Sequence, residues 1–159
     1  MKINKIYITL LTRVFTRVRY QAVIEVNIIN TATEETVINK DQKNADTKRY
    51  PASITKIMTI YLGTQDESKL DNYYSASDEA IKAVPRDTSN IALDFGEEIK
   101  LKDALHAAML MSANDACNLV AEAVSGNMDK FVKLMNSTAK TFGARNTSFA
   151  NANGLTDKK

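Results

Sequence analysis

Apolar and polar residues alternate in distinct ways along the chain. Val23-Ile24-Glu25-Val26-Asn27-Ile28-Ile29 is β-branched and partly alternating, which predicts a strand within 22–29. Asn30 to Glu35 is a polar turn, and Glu35-Thr36-Val37-Ile38-Asn39 predicts a second short strand, so the two read as a hairpin. After a polar connection over 40–49, Tyr50 to Leu62 carries Pro51 at its start and Gly63 at its end, the punctuation of a helix. Residues 64–72 are polar and irregular. Ser77-Asp78-Glu79-Ala80 has helix-start chemistry for a short helix ending near Val84-Pro85. Arg86 to Asn90 is a loop, and Ile91-Ala92-Leu93 and Ile99-Lys100-Leu101 are short extended pieces around Gly96.

The later chain is helical. Lys102 to Met111 is a helix with Leu105, Ala108 and Met109 on its apolar side. Ser112-Ala113-Asn114-Asp115 breaks it and starts another through Val124, which Ser125-Gly126-Asn127 punctuates. Met128, Phe131, Val132, Met135, Thr138, Ala139 and Phe142 then recur at helical spacing before Gly143, a core stripe. The tail from Thr147 to Leu155 is loop-like.

Composition is ordinary for a globular domain, with 159 residues, 44% hydrophobic and 25% charged. The net charge of +2 is unevenly spread. Lys2, Lys5, Arg13, Arg17 and Arg19 precede the first acid, leaving 16 bases against 19 acids elsewhere. That short arm lacks the aromatic interleaving of a nucleic-acid binder, so no nucleic-acid partner is expected. Residues 1–20 read as a degenerate signal-like or basic segment: the apolar run Ile6–Leu11 is shorter than the core of about 7–15 residues that an export signal uses. Residues 21–159 form the remaining domain. Cys117 and His106 are each single, which excludes an internal disulfide and argues against a metal site. Cys117 reads as a small buried thiol and His106 as a helix-surface residue. No cofactor is expected.

Candidate chemistry sits at Ser53 and Lys56, three residues apart and so on one helical face. A desolvated lysine can act as a neutral amine and take the proton of a serine, while the first-turn N–H groups point at any anion beside it. Ser-x-x-Lys recurs at Ser137 and Lys140 inside the core-stripe helix, so the spacing alone is not diagnostic. Ser-x-Asn also occurs twice. Ser125/Asn127 belongs to a turn, whereas Ser112/Asn114 lies at a helix-to-helix junction where a hydroxyl could relay a proton and an amide could hold a substrate backbone.

Pro51-Ala52-Ser53-Ile54-Thr55-Lys56-Ile57-Met58-Thr59, Ser112-Ala113-Asn114-Asp115-Ala116 and Phe131-Val132-Lys133-Leu134-Met135-Asn136, in that order, resemble the serine D-Ala-D-Ala carboxypeptidases, the low-molecular-mass penicillin-binding proteins. Asn146 to Leu155 is similar to the family's segment after that helix. The resemblance implies an α+β, penicillin-recognising fold like that of β-lactamases and DD-peptidases, with its helical part nearly complete. It implies Ser53 as nucleophile, Lys56 as base, Ser112 as proton-transfer partner and Asn114 as substrate-binding residue. The substrate would be a peptidoglycan stem peptide ending in D-Ala-D-Ala, with β-lactams as covalent inhibitors. The setting would be extracytoplasmic, with peripheral membrane association as a further expectation.

One family element is missing. Lys140-Thr141-Phe142-Gly143 is one residue too long for Lys-Thr-Gly and ends a helix. The expectation is a copy truncated before the Lys-Thr-Gly strand, with an incomplete antiparallel sheet and activity impaired by that loss. Two alternatives stand beside the peptidase: a non-catalytic remnant binding peptidoglycan or a partner, and a β-lactamase. The latter needs a deacylating Glu beyond Ser-x-Asn, and residues 116–159 offer only Glu122, inside a helix.

Overall fold

The computed structural model describes residues 50–156. The N-terminal segment and the predicted hairpin lie outside them. The chain divides into two compact units, one of residues 52–137 with 148–159 and the other of residues 1–51 with 138–147. Every candidate site residue belongs to the first.

That unit opens with a 3-10 turn, Ala52–Thr55, running directly into helix α1, Lys56–Gly63. A further 3-10 turn, Glu67–Lys69, leads to strand β1, Tyr73–Ser75, and helix α2, Asp78–Lys82. Strand β2, Glu98–Lys100, then runs into α3, Leu101–Leu110, followed by α4, Asn114–Ser125, and α5, Met128–Thr141, of which residues 128–137 belong to this unit. β1 and β2 pair antiparallel, with Tyr73 opposite Lys100 and Ser75 opposite Glu98. Among the described residues the sheet has these two strands alone.

The core lies where α1, α3 and α4 meet. Met58, Leu62, Leu101, Ala104, Leu105, Ala108, Leu119 and Val120 are all buried there. Gly63 explains how closely the helices approach. A Cβ on it would stand 2.6 Å from Leu105 Cδ2 and 3.0 Å from Val120 Cγ1. It is the last helical residue of α1 rather than a residue past its end, so it serves packing and not a left-handed cap.

The termini are held by chemistry legible in the sequence. Ser77 caps α2, its Oγ accepting from Ala80 N–H at 3.0 Å. Glu122 of α4 accepts from Ser77 N–H and Oγ–H at 3.0 and 2.6 Å, tying α2 to α4. Gly126 closes α4 with φ +82.

Some expectations are corrected. Met109 is 67% exposed. The buried stripe of α3 runs through Leu101, Ala104, Leu105 and Ala108, and at 3.6 residues per turn Met109 falls about 90° away from its centre. Residues 64–72 are not wholly irregular, and the strand Tyr73–Ser75 follows where no periodicity marks one. Ile91–Leu93 is not paired as a strand. Its backbone is pinned instead by the buried Asp115 carboxylate, which accepts from Ile91 and Leu93 N–H at 3.1 Å each.

Candidate active site

Ser53 and Lys56 meet because the chain is 3-10 rather than α-helical at that point. In a 3-10 turn residues i and i+3 eclipse, so Ser53 sits over the first residue of α1. Lys56 Nζ lies 3.2 Å from Ser53 Oγ. Ala52, just before the serine, has φ +50, a left-handed conformation that non-glycine residues rarely adopt. The serine is exposed and the lysine beneath it is 4% exposed, so a hydroxyl facing solvent stands on a buried amine.

Ser112 and Asn114 arrive from the α3–α4 junction. Ser112 adopts φ +54, turning the chain sharply between the helices. Its Oγ donates to Ser53 Oγ at 2.9 Å. Asn114 begins α4 but its side chain does not cap it. Asn114 Oδ1 accepts from Lys56 Nζ at 2.7 Å instead. Asn114 N–H donates to Ser89 O at 2.9 Å, fixing the junction against the loop before β2.

The structure therefore brings Ser53, Lys56, Ser112 and Asn114 into one hydrogen-bonded cluster. It adds a fifth member that no motif marks: Asn153 O accepts from Lys56 Nζ at 2.7 Å. Residues 151–155 fold onto the 3-10 turn and α1. Thr59 Oγ1 donates to Ala152 O at 2.5 Å. Gly154, at φ +86, passes so near Ala52 that a Cβ would lie 1.9 Å from the Ala52 carbonyl oxygen. From behind, Asn136 of α5 accepts from Phe149 N–H and donates to Phe149 O, both at 2.9 Å. The Asn-x-Asn-Gly run carries a usable signal, since such asparagines bond their own backbone in turns. Asn151 Oδ1 does so, accepting from Gly154 N–H at 2.7 Å.

Burial lowers the Lys56 pKa from the ordinary lysine value, while the electrostatic influence of Cys117 acts in the opposite sense. Cys117 is fully buried on α4, and desolvation pushes its pKa up to about 12, which keeps it a neutral thiol. His106 is exposed on α3. Ser137 and Lys140 of α5 are both exposed.

A family model described as D-alanyl-D-alanine carboxypeptidase matches residues 21–159. The chain belongs to that family. Among curated carboxypeptidases, DacF of Bacillus subtilis is 38% identical over 120 residues, 73% of this chain and 30% of the relative. DacC of Escherichia coli is 36% identical over 119 residues, 70% of this chain and 30% of the relative. Penicillin-binding protein 5 of Haemophilus influenzae superposes with a TM-score of 0.66 at 33% identity, over 72% of this chain and 35% of that one. The Streptomyces K15 DD-transpeptidase superposes with a TM-score of 0.67 at 26% identity, over 80% of this chain and 50% of that one. The fold is thus α+β of the penicillin-recognising type. The chain spans about 30% of the length of the curated carboxypeptidases it matches.

Proposed function

We propose that this chain carries the acylating centre of a serine-type D-Ala-D-Ala carboxypeptidase. The observation that carries this reading is the exposed Ser53 hydroxyl resting 3.2 Å above a buried amine that has two further acceptors. A neutral amine has two N–H groups and one lone pair. With Asn114 Oδ1 and Asn153 O taking the two N–H groups, the lone pair is left facing Ser53. Lys56 then accepts the Ser53 proton as Oγ bonds to the carbonyl carbon between the two D-alanines. Ser112, 2.9 Å from Ser53 Oγ, passes a proton to the departing amine as the C–N bond breaks and is reprotonated by the Lys56 ammonium, which returns to the neutral amine. Asn114 Nδ2 has no protein partner among the described residues and is free to donate to a substrate carbonyl. First-turn N–H groups receive the developing oxyanion. Lys56, neutral again, takes a proton from water as the water oxygen bonds to the ester carbon, and returns it to Ser53 Oγ as the acyl C–O bond breaks.

Peptidoglycan stem peptides ending in D-Ala-D-Ala are the substrate in this reading, and β-lactams acylate the same serine. Such a substrate implies an extracytoplasmic setting. Among the described residues no helix is long and apolar enough to cross a membrane. Glu122, the one glutamate after Ser112-x-Asn114, is engaged by Ser77, which disfavours a β-lactamase that would need it for deacylation.

Labelling with a fluorescent penicillin, followed by intact-mass measurement, tests the proposal. The expected result is one adduct per chain, lost in Ser53→Ala. A folded wild-type chain that takes no label overturns it, and retention on peptidoglycan sacculi without an adduct would favour a binding remnant.

A further inference from the structure

Three groups hold the Lys56 amine, and two of them are built differently from the third. Ser53 and Asn114 contact it with side chains, but Asn153 contacts it with a backbone carbonyl at 2.7 Å. A main-chain acceptor is only as well placed as the segment that carries it. That segment is irregular, so its position must come from side-chain bonds.

Those bonds converge on one buried residue of α4. Asn118, 2% exposed, accepts from Asn153 Nδ2 through its Oδ1 at 3.1 Å. Its own Nδ2 donates to Ala80 O, at 2.8 Å, in helix α2. The Asn153 side chain completes the link locally, its Oδ1 accepting from Leu155 N–H at 2.9 Å. Both amides are thus used as donor and acceptor together, and both are almost wholly buried. Asn118 lies one turn along α4 from Asn114, so the same helix presents a direct partner and an indirect partner to one amine.

We propose that Asn118, acting through the Asn153 side chain, is a positioning residue that keeps the Lys56 amine aligned with Ser53. The inference rests on the acyl-transfer reading above and deepens it. Asn118 touches neither substrate nor reacting atom; it sets where the Asn153 carbonyl stands. An apolar residue of the same size would leave Asn153 Nδ2 and Ala80 O buried and unpaired, and the segment would shift to find water. Misplacing a catalytic group by about 1 Å can cost on the order of 10²-fold in rate.

The test uses Asn118→Leu and Asn153→Ala, which break the link from opposite ends, each checked for folding by circular dichroism and thermal melting. Two readouts separate the possibilities. The first is the rate of acylation by a fluorescent penicillin as a function of pH. Both variants are expected to acylate roughly 10- to 100-fold more slowly near neutrality, with the rising limb displaced upward. The double variant is expected to be no slower than the worse single one, because one link is broken twice.

The second readout is the titration of Lys56 itself, followed by its 13Cε chemical shift, which needs no activity. Among the described residues Cys117 of α4, a neutral thiol below its raised pKa, is the titratable group coupled to Lys56, and it is untouched by either change. Loosening the segment admits water, so the Lys56 titration is expected to move up toward the ordinary lysine range. Folded variants with wild-type rate profiles and an unmoved Lys56 titration overturn the positioning role while leaving the acylation proposal intact. A wild-type chain that takes no penicillin overturns the acylation proposal, and the chemical-shift titration still decides the role of Asn118.

Discussion

Two copies of Ser-x-x-Lys stand in this chain with the same spacing and opposite surroundings. At Ser53 and Lys56 the chain enters a helix through a 3-10 turn, the lysine is 4% exposed, and three oxygens converge on its amine. At Ser137 and Lys140 the same letters ride the outer face of α5, where both side chains are exposed and Ser137 Oγ donates to the Leu134 carbonyl at 2.9 Å. The difference is solvation. A lysine in water keeps its proton near pH 10 and offers no lone pair at neutrality, whereas desolvation destabilises the ammonium and frees the amine. The two Ser-x-Asn copies separate in the same way: Asn114 Oδ1 receives the Lys56 amine, while Asn127 Oδ1 accepts from Lys130 N–H at 2.8 Å as a helix cap.

The comparison can be broken most sharply at the serines. Ser53→Ala is expected to abolish penicillin labelling, and Ser137→Ala to leave it unchanged, as read by gel fluorescence. Equal loss in both would erase the distinction between the two copies. Next in size are the lysines. Lys56→Met is expected to slow acylation by about 10²- to 10⁴-fold, the usual worth of a positioned general base, while Lys140→Met has no effect.

Acidity sharpens the same contrast. Because burial lowers the Lys56 pKa, wild-type acylation should rise with pH through an inflection below 10.5, and that limb should vanish in Lys56→Met. Stability changes with a definite sign. Between the folded pKa of Lys56 and its ordinary value the unfolded chain binds more protons, so stability increases with pH across that window. Below the folded value the cost of burying the ammonium is fully present. Urea unfolding at several pH values, wild type against Lys56→Met, would show the difference; a pH-independent difference contradicts it.

Smaller effects belong to the scaffold. Gly154→Ala combines a φ of +86 with a Cβ driven against the Ala52 carbonyl, whereas Gly143 at φ +79 has open space around it. The first change is expected to lower stability by more than about 3 kcal/mol or displace the 151–155 segment, the second by about 1 kcal/mol from backbone conformation alone. Thermal melts would rank them. Smallest is Ser77→Ala, which removes the cap of α2 at about 1 kcal/mol and releases Glu122.

Much of the helical scaffold is legible in the amino-acid order. The starts and stops of α2, α4 and α5 lie within a residue or two of their cap and glycine signals, because those signals act locally. Strand Tyr73–Ser75 gives no such signal, because three residues carry no period and its existence depends on the distant β2. Asp115 reads as part of a helix break, yet its carboxylate organises the backbone of Ile91 and Leu93, some twenty residues earlier.

The amino-acid order by itself determined the motifs, their sequence along the chain and the helices that bear them. It also marked Ser53 and Lys56 as neighbours, since a three-residue offset is a property of local backbone geometry. Only tertiary structure decided that this pair and not the other is buried around its amine. It alone brought Ser112, Asn114 and the Asn153 carbonyl to that amine across separations of up to 97 residues. Hydrogen-bond spacing along a helix is set by neighbours, but desolvation is set by whatever else packs there, and that is written nowhere in a four-residue motif.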